Sequence, residues 1–479
     1  MTTPVIYWFR HDLRLSDLPG LNAAVATGQP LIACYILDDE TPGEWQAGGA
    51  SRWWLHHALS ALAAQLRSLG GTLLIRRGPA QREILSLAEE TGASAVYCSR
   101  SYEPWANALE NDLYQQLSSR AVSLQRYGGT LLFEPDTIAN QAGKPFRVFT
   151  PFWKTCRRQT PPDAPLPPPA NPVFHPLAGG GLNPEDLALL PRQPNWAAHW
   201  SEYWQPGSAG AQHSLQRFLK SALDDYDESR NHPDREATSR LSPHLHFGEL
   251  SPRQLWHAIH RHCADQPGLE HQRDKFLSEL GWREFSHHLL HHFPTMTEQP
   301  FKPHYETFPW IGTADNLLAW QQGRTGYPII DAGMRELWHT GYMHNRVRMI
   351  TASFLTKHLL VPWQAGQRWF WDTLVDADLA NNSCGWQWVA GSGADAAPYF
   401  RIFNPTLQGT RFDAAGEYVR RWVPELATMP ARYIHEPSTA PAPVLAQSQV
   451  TLGDNYPLPI VNHKAARAAA LAAYASLNN

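Results

Sequence analysis

The chain has 479 residues, of which 43% are hydrophobic and 18% charged, and its formal net charge is −4. This length calls for two or three domains, and the composition excludes a disordered, fibrous or low-complexity protein. The slightly negative balance excludes a protein that coats nucleic acid through overall charge, but it leaves room for a local basic patch.

Four apolar runs open the chain: Val5–Phe9, Leu31–Leu37, Leu73–Ile75 and Ala95–Cys98. Continuous apolar runs are what parallel strands buried on both faces require. After the second run, Ser51 is the expected N-cap of a helix with Leu55, Leu59, Leu62, Leu66 and Leu69 on one face and Gly70-Gly71 at its end. These elements predict an α/β domain over residues 1–135 with a doubly wound parallel sheet. No G-x-G-x-x-G follows the first strand, which runs instead into Arg10-His11-Asp12-Leu13-Arg14, and no Walker-type phosphate loop occurs. Residues 136–206 read as a linker, with eight prolines between Pro161 and Pro176 followed by Gly179-Gly180-Gly181. From 207 to 479 the pattern is helical, with Leu215, Phe218, Leu219 and Leu223 on one stripe and long helices near 251–262, 271–292, 328–340 and 344–359. No repeat of solenoid period is present.

Cys34, Cys98, Cys156, Cys263 and Cys384 are scattered, odd in number and without CxxC spacing, so a reduced, cytoplasmic protein is expected rather than a disulfide framework. No basic and apolar leader pattern opens the sequence and no run of eighteen apolar residues follows, so neither export nor a membrane span is expected. The run His287-His288-Leu289-Leu290-His291-His292 lacks HExxH and a third ligand. It reads as a helix whose histidines satisfy buried backbone or phosphate groups, and no metal is expected. Gly391-Ser392-Gly393 lacks the spacing of a nucleophile elbow, which argues against a hydrolase.

Twenty tryptophans, most of them after residue 195, need an account by position. Trp386 and Trp388 follow the polar run Asp376-Ala377-Asp378-Leu379-Ala380-Asn381-Asn382. Glu279, Trp282 and Arg283 lie at i, i+3 and i+4 on one helical face, and His344-Asn345-Arg346-Val347-Arg348-Met349 adds a third mixed cluster. Indoles crowded with charges and amides suit a ligand with a flat ring and a hydrogen-bonding edge. Thr238-Ser239-Arg240-Leu241-Ser242 offers hydroxyls and backbone amides suited to pyrophosphate or, equally, to a plain capping loop. Arg230, Arg240, Arg253, Arg346 and Arg348 would make the local field positive, as a phosphate backbone requires.

The strings Trp8-Phe9-Arg10-His11-Asp12-Leu13-Arg14-Leu15, Tyr327-Pro328-Ile329-Ile330-Asp331-Ala332, Met343-His344-Asn345-Arg346 and Phe400-Arg401-Ile402-Phe403-Asn404-Pro405 resemble the photolyase/cryptochrome family, and within it the photolyases acting on cyclobutane dimers. The resemblance covers nearly the whole chain. It implies FAD bent into a U in the helical domain, at the floor of a cavity open to damaged DNA. By the same resemblance, Tyr226 and Thr238 to Ser242 would hold the phosphates and ribityl chain. Arg283, Asn345 and Ala377 would also contact the cofactor, Arg348 would pair with Asp376 beside the flavin, and Asp378 would bond the ring edge. Asn382 would face flavin N5, where asparagine favours repair over the signalling role of many cryptochromes. Enzymes that act on a base in a duplex extrude it, photolyases among them. Trp282 and Trp388 would then wall the dimer, with Glu279 and Asn345 on the thymine edges. Met349, where photolyases of the (6-4) kind are expected to have histidine, points to a cyclobutane lesion. Arg230, Arg346 and Gln408 would contact the strand.

The implied chemistry is redox: reduced, excited FAD gives an electron to the dimer, the ring splits and the electron returns. Trp386, Trp363 and Trp310 match the family's chain of tryptophans that reduces the flavin. Phe276 and Tyr342 stand where well-known relatives have tryptophan. An antenna chromophore is also implied. Trp105-Ala106 replaces the Asn-Glu pair of one folate-binding branch, whereas Trp53-Trp54-Leu55-His56-His57 resembles another branch associated with folate. Methenyltetrahydrofolate is therefore favoured over 8-hydroxydeazaflavin, with no residues assigned to it. A monomer is expected. The rival readings are a photoreceptor, although the sequence shows no long C-terminal tail of the kind many such receptors carry, and an electron-transfer flavoprotein without DNA.

Overall fold

The fold was obtained as a computed structural model, and it describes residues 3–176, 181–264, 266–396 and 400–478. Met1, Thr2, Gly179 and Gly180, which figured in the leader and linker expectations, lie outside the described residues. In chain order the elements are β1 (Val5–Phe9), α1 (Pro19–Ala26), β2 (Leu31–Leu37), α2 (Gly49–Ser68), β3 (Leu73–Arg77), α3 (Ala80–Thr91), β4 (Ala95–Ser99), α4 (Pro104–Ser118) and β5 (Ser123–Tyr127). Then follow α5 (Phe149–Cys156), α6 (Ser208–Ser221), α7 (Tyr226–Ser229), α8 (Ser242–His246), α9 (Pro252–Ala264) and α10 (Glu270–His292). The later helices used below are α11 (Ala314–Gln321), α12 (Pro328–Thr340), α13 (Asn345–Ser353), α14 (Trp363–Thr373), α15 (Leu379–Ala390) and α16 (Pro405–Phe412). Among the described residues no helix is long and apolar enough to cross a membrane.

The sheet is parallel throughout, with order β3-β2-β1-β4-β5. β1, β2 and β4 are buried along their whole length, as their unbroken apolar sequences require. β5 escaped the sequence reading because it is the edge strand, where only Leu124 is buried and the apolar run is lost. α2 begins two residues before the expected cap: Gly48 takes the extended N-cap conformation and Ser51 is buried inside the first turn. Leu55, Leu59, Leu62 and Leu66 are buried as expected, but Leu69 lies beyond the helix and is 42% exposed. Gly70, at φ +83°, makes the left-handed turn that ends it.

The chain order reverses where β1 meets β4, the position at which open α/β sheets usually gather functional groups beyond their strand ends. Here the loop after β1 is a closed polar network. Asp12 accepts the Tyr7 hydroxyl at 2.7 Å, the Ser99 hydroxyl at 2.7 Å and the Arg10 amide at 2.7 Å. Arg14, fully buried, donates to the carbonyls of Ser16, Asp17, Gly129 and Gly248 at 2.9–3.0 Å. A Cβ on Gly248 would lie 2.2 Å from the His11 carbonyl oxygen, so glycine is required where the two segments touch.

Two compact units result: Met1–Asp224 with Ser239–Pro294 and Val375–Asp378, and Asp225–Thr238 with Thr295–Leu374 and Leu379–Asn479. They do not follow the boundaries expected at 135 and 207. α9 and α10, helical and therefore assigned with the later helices, pack in the first unit, where α10 lies against α5. Buried Glu284 on α10 accepts the amides of Leu132 at 2.8 Å and Phe133 at 3.1 Å. The proline-rich stretch is likewise docked: Leu31 donates to Val173 and His175 donates back to Leu31. Its α5 buries Phe149, Phe152, Trp153 and Cys156. The Leu215, Phe218, Leu219 and Leu223 stripe is buried. In the second unit α12, α16 and the helix Glu417–Trp422 form one packed group, and α14 packs on α15.

Candidate functional site

The residues expected to bind ligand fall on both units, and each set is described within its own unit. In the first, Thr238 to Ser242 leads into α8 and only Ser239 onward belongs to this unit. Arg240 is left-handed, φ +52°, a conformation disfavoured outside glycine. Its guanidinium lies 5.7 Å from the centre of the Trp204 ring. The Ser239 hydroxyl accepts the Leu241 amide at 3.3 Å, and the Ser242 hydroxyl donates to Asp376 Oδ2 at 2.6 Å. The two halves of the expected cofactor set, 238–242 and 376–378, thus meet at this bond. Leu241 and Ala377 are buried and contribute through their backbone and packing.

Asp378 has the most telling environment. His287 Nε2 of α10 lies 3.3 Å from Oδ2 and His246 Nδ1 of α8 3.7 Å from the same oxygen. Burial alone would raise this carboxyl, but His287 and then His246 outweigh it and hold Asp378 well below the usual carboxylate range. For His287, burial opposes charging, yet Asp378 wins and its pKa is raised. His287 was expected to serve backbone or phosphate, and its Nδ1 does meet the Arg283 carbonyl at 3.1 Å; its other nitrogen faces a carboxylate as well. The rest of the histidine run does serve backbone and neighbouring acids: His288 Nε2 is 3.0 Å from the Phe146 amide, His292 Nε2 3.2 Å from the Pro135 carbonyl, and His291 pairs with Asp136 at 2.6 Å.

Farther toward the start of α10, Trp282 is half-buried and stacks on Phe149 with ring centroids 3.7 Å apart and planes 10° from parallel. One face of the indole is thereby backed. Glu279, one helical turn earlier, is also half-buried. Arg283 turns to Glu284 at 3.3 Å. Phe149 was missed because it lies in the stretch read as linker, and nothing local marks it as the partner of an indole 133 residues away. Phe276 packs on Phe218 at 4.7 Å. Trp53 and Trp54 are buried, the latter donating Nε1–H to Glu249 at 3.0 Å, so both indoles are core.

In the second unit α13 turns Val347 and Ile350 inward and leaves Asn345 exposed and Arg346, Arg348 and Met349 half-buried. The His344 ring caps the helix by accepting the Arg346 amide at 3.2 Å. Arg346 donates to Asn231 at 2.5 Å and lies 4.4 Å from the centre of the Phe412 ring, with Met349 Sδ 4.0 Å from its Nη1. Arg348 donates to the Met343 carbonyl at 2.7 Å and lies over Tyr342 at 5.1 Å. Buried Tyr226 carries Arg230 over its ring at 5.2 Å. Trp388 and Gln408 are half-buried. Asn382 donates its amide N–H to the Gln367 carbonyl at 2.9 Å, which leaves the amide oxygen as the end able to meet a ligand.

The three tryptophans of the expected chain all lie in this unit. Trp386 and Trp363 are buried, 2% exposed each, and Trp310 is half-exposed against Phe308 at 4.4 Å. A Cβ on Gly366 would lie 2.1 Å from the Trp386 ring, so glycine on α14 is what admits this indole. Trp386 meets Phe370 edge-on at 5.0 Å and Trp320 at 6.1 Å. Its Nε1 has no hydrogen-bond partner among the described residues.

The donor set fits FAD. In the first unit an anionic Asp378 would accept from the imide N–H of a flavin edge, and Arg240 and Ser239 suit phosphate oxygens; in the second, the Asn382 oxygen would accept from a ring N–H.

An open parallel sheet and a helical portion rich in such groups have the make-up of a flavoprotein. The family model for the FAD binding domain of DNA photolyase matches residues 276–476, and that for DNA photolyase matches 5–171. A deoxyribodipyrimidine photo-lyase from Agrobacterium fabrum is 47% identical, over 99% of this chain and 98% of that one. Cryptochrome-1 of Arabidopsis thaliana is 38% identical over 97% of this chain and 69% of its own. The crystal structure of a bacterial class III photolyase from Agrobacterium tumefaciens superposes with a TM-score of 0.96 at 47% identity, covering 100% of this chain and 98% of that one. The chain belongs to the photolyase/cryptochrome family.

Proposed function

We propose that this protein repairs cyclobutane pyrimidine dimers in DNA under blue or near-ultraviolet light. The observation that carries the reading is the half-buried Trp282, backed by Phe149 at 3.7 Å and one turn from Glu279. This is a rigid stacking platform beside an acid, suited to an extruded lesion of two adjacent pyrimidines on one strand. Bound FAD in its reduced form supplies the electron on absorbing light. Tyr226, Thr238 to Ser242, Arg283, Asn345, Arg348, Asp376, Ala377, Asp378 and Asn382 hold it.

Trp282 and Trp388 flank the lesion, and Glu279 and Asn345 bond the thymine edges. Glu279 stabilises the negative charge that develops there when it donates a hydrogen bond as the neutral acid. Met349 stands where an enzyme of the (6-4) kind is expected to carry histidine, which favours the cyclobutane lesion. Arg230, Arg346 and Gln408 hold the strand through its phosphates. The burial gradient from Trp386 and Trp363 to Trp310 suits a path that brings electrons inward from the surface. Replacing Trp386 with phenylalanine is expected to stop light-driven reduction of the oxidised cofactor while dimer repair by chemically reduced protein continues, both followed by absorbance.

The N-terminal α/β part carries an antenna chromophore, methenyltetrahydrofolate rather than 8-hydroxydeazaflavin. Burial of Trp53 and Trp54 removes those two side chains from direct contact with it. The absorbance spectrum of the purified protein distinguishes the two compounds. The protein acts as a monomer in the cytoplasm. Loss of thymine dimers from irradiated DNA under blue light but not in darkness is the test of the whole reading, and equal dimer content in both refutes it.

A further inference from the structure

Asp378 has neighbours that the assignment to a flavin edge does not use. Beyond His246 and His287, the His246 ring lies 4.9 Å, centroid to centroid, from His11, and His11 Nδ1 lies 3.5 Å from Glu103 Oε1. The His11 side chain is 49% exposed, whereas His246 and His287 are 8% and Asp378 13% exposed. A line of ionisable groups therefore runs from solvent, where β1 and β4 end at the reversal of the sheet, to a covered carboxylate. All five residues belong to the first unit.

Hydrogen-bond geometry sets one charge state. His287 Nδ1 lies 3.1 Å from the Arg283 carbonyl oxygen, an atom that can only accept, while Nε2 faces an Asp378 oxygen at 3.3 Å. Both nitrogens must carry protons to satisfy both partners, so His287 is the imidazolium. At the outer end Glu103 outweighs burial and raises His11, and burial lowers His246. The outer pair Glu103 and His11 and the inner pair Asp378 and His287 are thus each biased toward their charged forms, and His246 between them toward its neutral form.

We propose that Glu103, His11, His246 and His287 form a relay that keeps Asp378 ionised and ties its charge to solvent pH, making retention of FAD pH-dependent at this carboxylate. The inference rests on the reading that Asp378 meets the flavin. Among the described residues Arg283 and Glu284 on α10 and Arg10 beside His11 also act on the line, and the Tyr102 ring lies 6.1 Å from His287. Arg283 and Arg10 oppose charging of the histidines nearest them, and Asp378 and Glu103 favour it.

The sign follows. A carboxylate held low keeps its charge, and the cofactor, far into acid; without its cationic partner, burial raises it and the cofactor leaves at higher pH. Full-length FAD-loaded protein is stepped from neutral to acid pH, with release read from recovered flavin fluorescence and folding from circular dichroism. His287→Gln is expected to move the release midpoint upward by about one pH unit, a tenfold change in proton concentration. His246→Gln moves it less, and His11→Gln, at a half-exposed site that tolerates the change, least. Asp378→Asn weakens FAD at every pH and flattens the profile.

Unchanged midpoints in the histidine variants, with a flattened Asp378→Asn profile, overturn the relay and leave the flavin contact standing. An Asp378→Asn protein that matches wild type in affinity and profile removes the flavin contact and the relay with it. Should His287→Gln fail to fold, infrared spectra of His246→Gln decide. A protonated carboxyl band growing in at a higher pH than in wild type, and missing from the double variant with Asp378→Asn, supports the relay, and a band unmoved from wild type overturns it.

Discussion

Residues 10–17 and residues 345–349 look alike in sequence, each with two arginines among polar and apolar neighbours at the edge of an element. The fold uses them in opposite ways. Arg14 is fully buried with its donors spent on four carbonyls, and Arg10 donates to Glu110 at 2.6 Å and to the Ser99 carbonyl. On α13 only Val347 and Ile350 of the first six residues are buried, so Asn345, Arg346, Arg348 and Met349 line the uncovered side. A guanidinium that matches loop carbonyls in number and direction is packing material; one half-buried at a helix edge is still placed to meet a ligand. The difference shows that an arginine-rich motif is read from what surrounds it, not from its composition.

The comparison can be broken first at Arg14. Arg14→Ala leaves four buried carbonyls without a donor and opens a cavity, a loss of about 4 kcal/mol in unfolding free energy by urea titration. A loss under about 1 kcal/mol would place Arg14 with the uncovered set. The histidine run gives the next effect. His288, buried and accepting the Phe146 amide, is lowered to about 3 by burial and then by His292 and His291. Its folded pKa lies below the unfolded value, so the stability it lends is present above pH 6.5 and fades as pH falls toward 3. A stability profile of His288→Gln should lack that acid slope, which reaches at most about 1.4 kcal/mol per pH unit.

The uncovered set sharpens the contrast through function. Glu279→Ala is expected to cut the yield of dimer splitting about tenfold, near 1.4 kcal/mol, with DNA affinity changed much less. Binding by anisotropy and splitting by dimer absorbance separate the two, and the reverse pattern would make Glu279 a binding residue. Arg346→Ala should weaken DNA binding by about 1 kcal/mol, equally across sequences, and reduce the salt slope by about one. A wild-type slope in that variant would mean that Arg346, like Arg14, is spent inside the protein on Asn231 and Phe412.

By itself the sequence determined the parallel sheet, because buried strands need unbroken apolar runs, and the main helices, because a 3.6-residue period is local. It also determined the resemblance, whose motifs are contiguous strings. It did not disclose β5, whose edge position removes the apolar run, nor the assignment of α9 and α10 to the first unit, since a helical period does not say which neighbour it meets. Only the tertiary structure decided that Phe149 backs Trp282, that Gly366 admits Trp386, and that His11, Glu103, His246 and His287 gather around Asp378. Each of these joins residues far apart in the chain, and the charge of Asp378 depends on burial and on partners that no local pattern specifies.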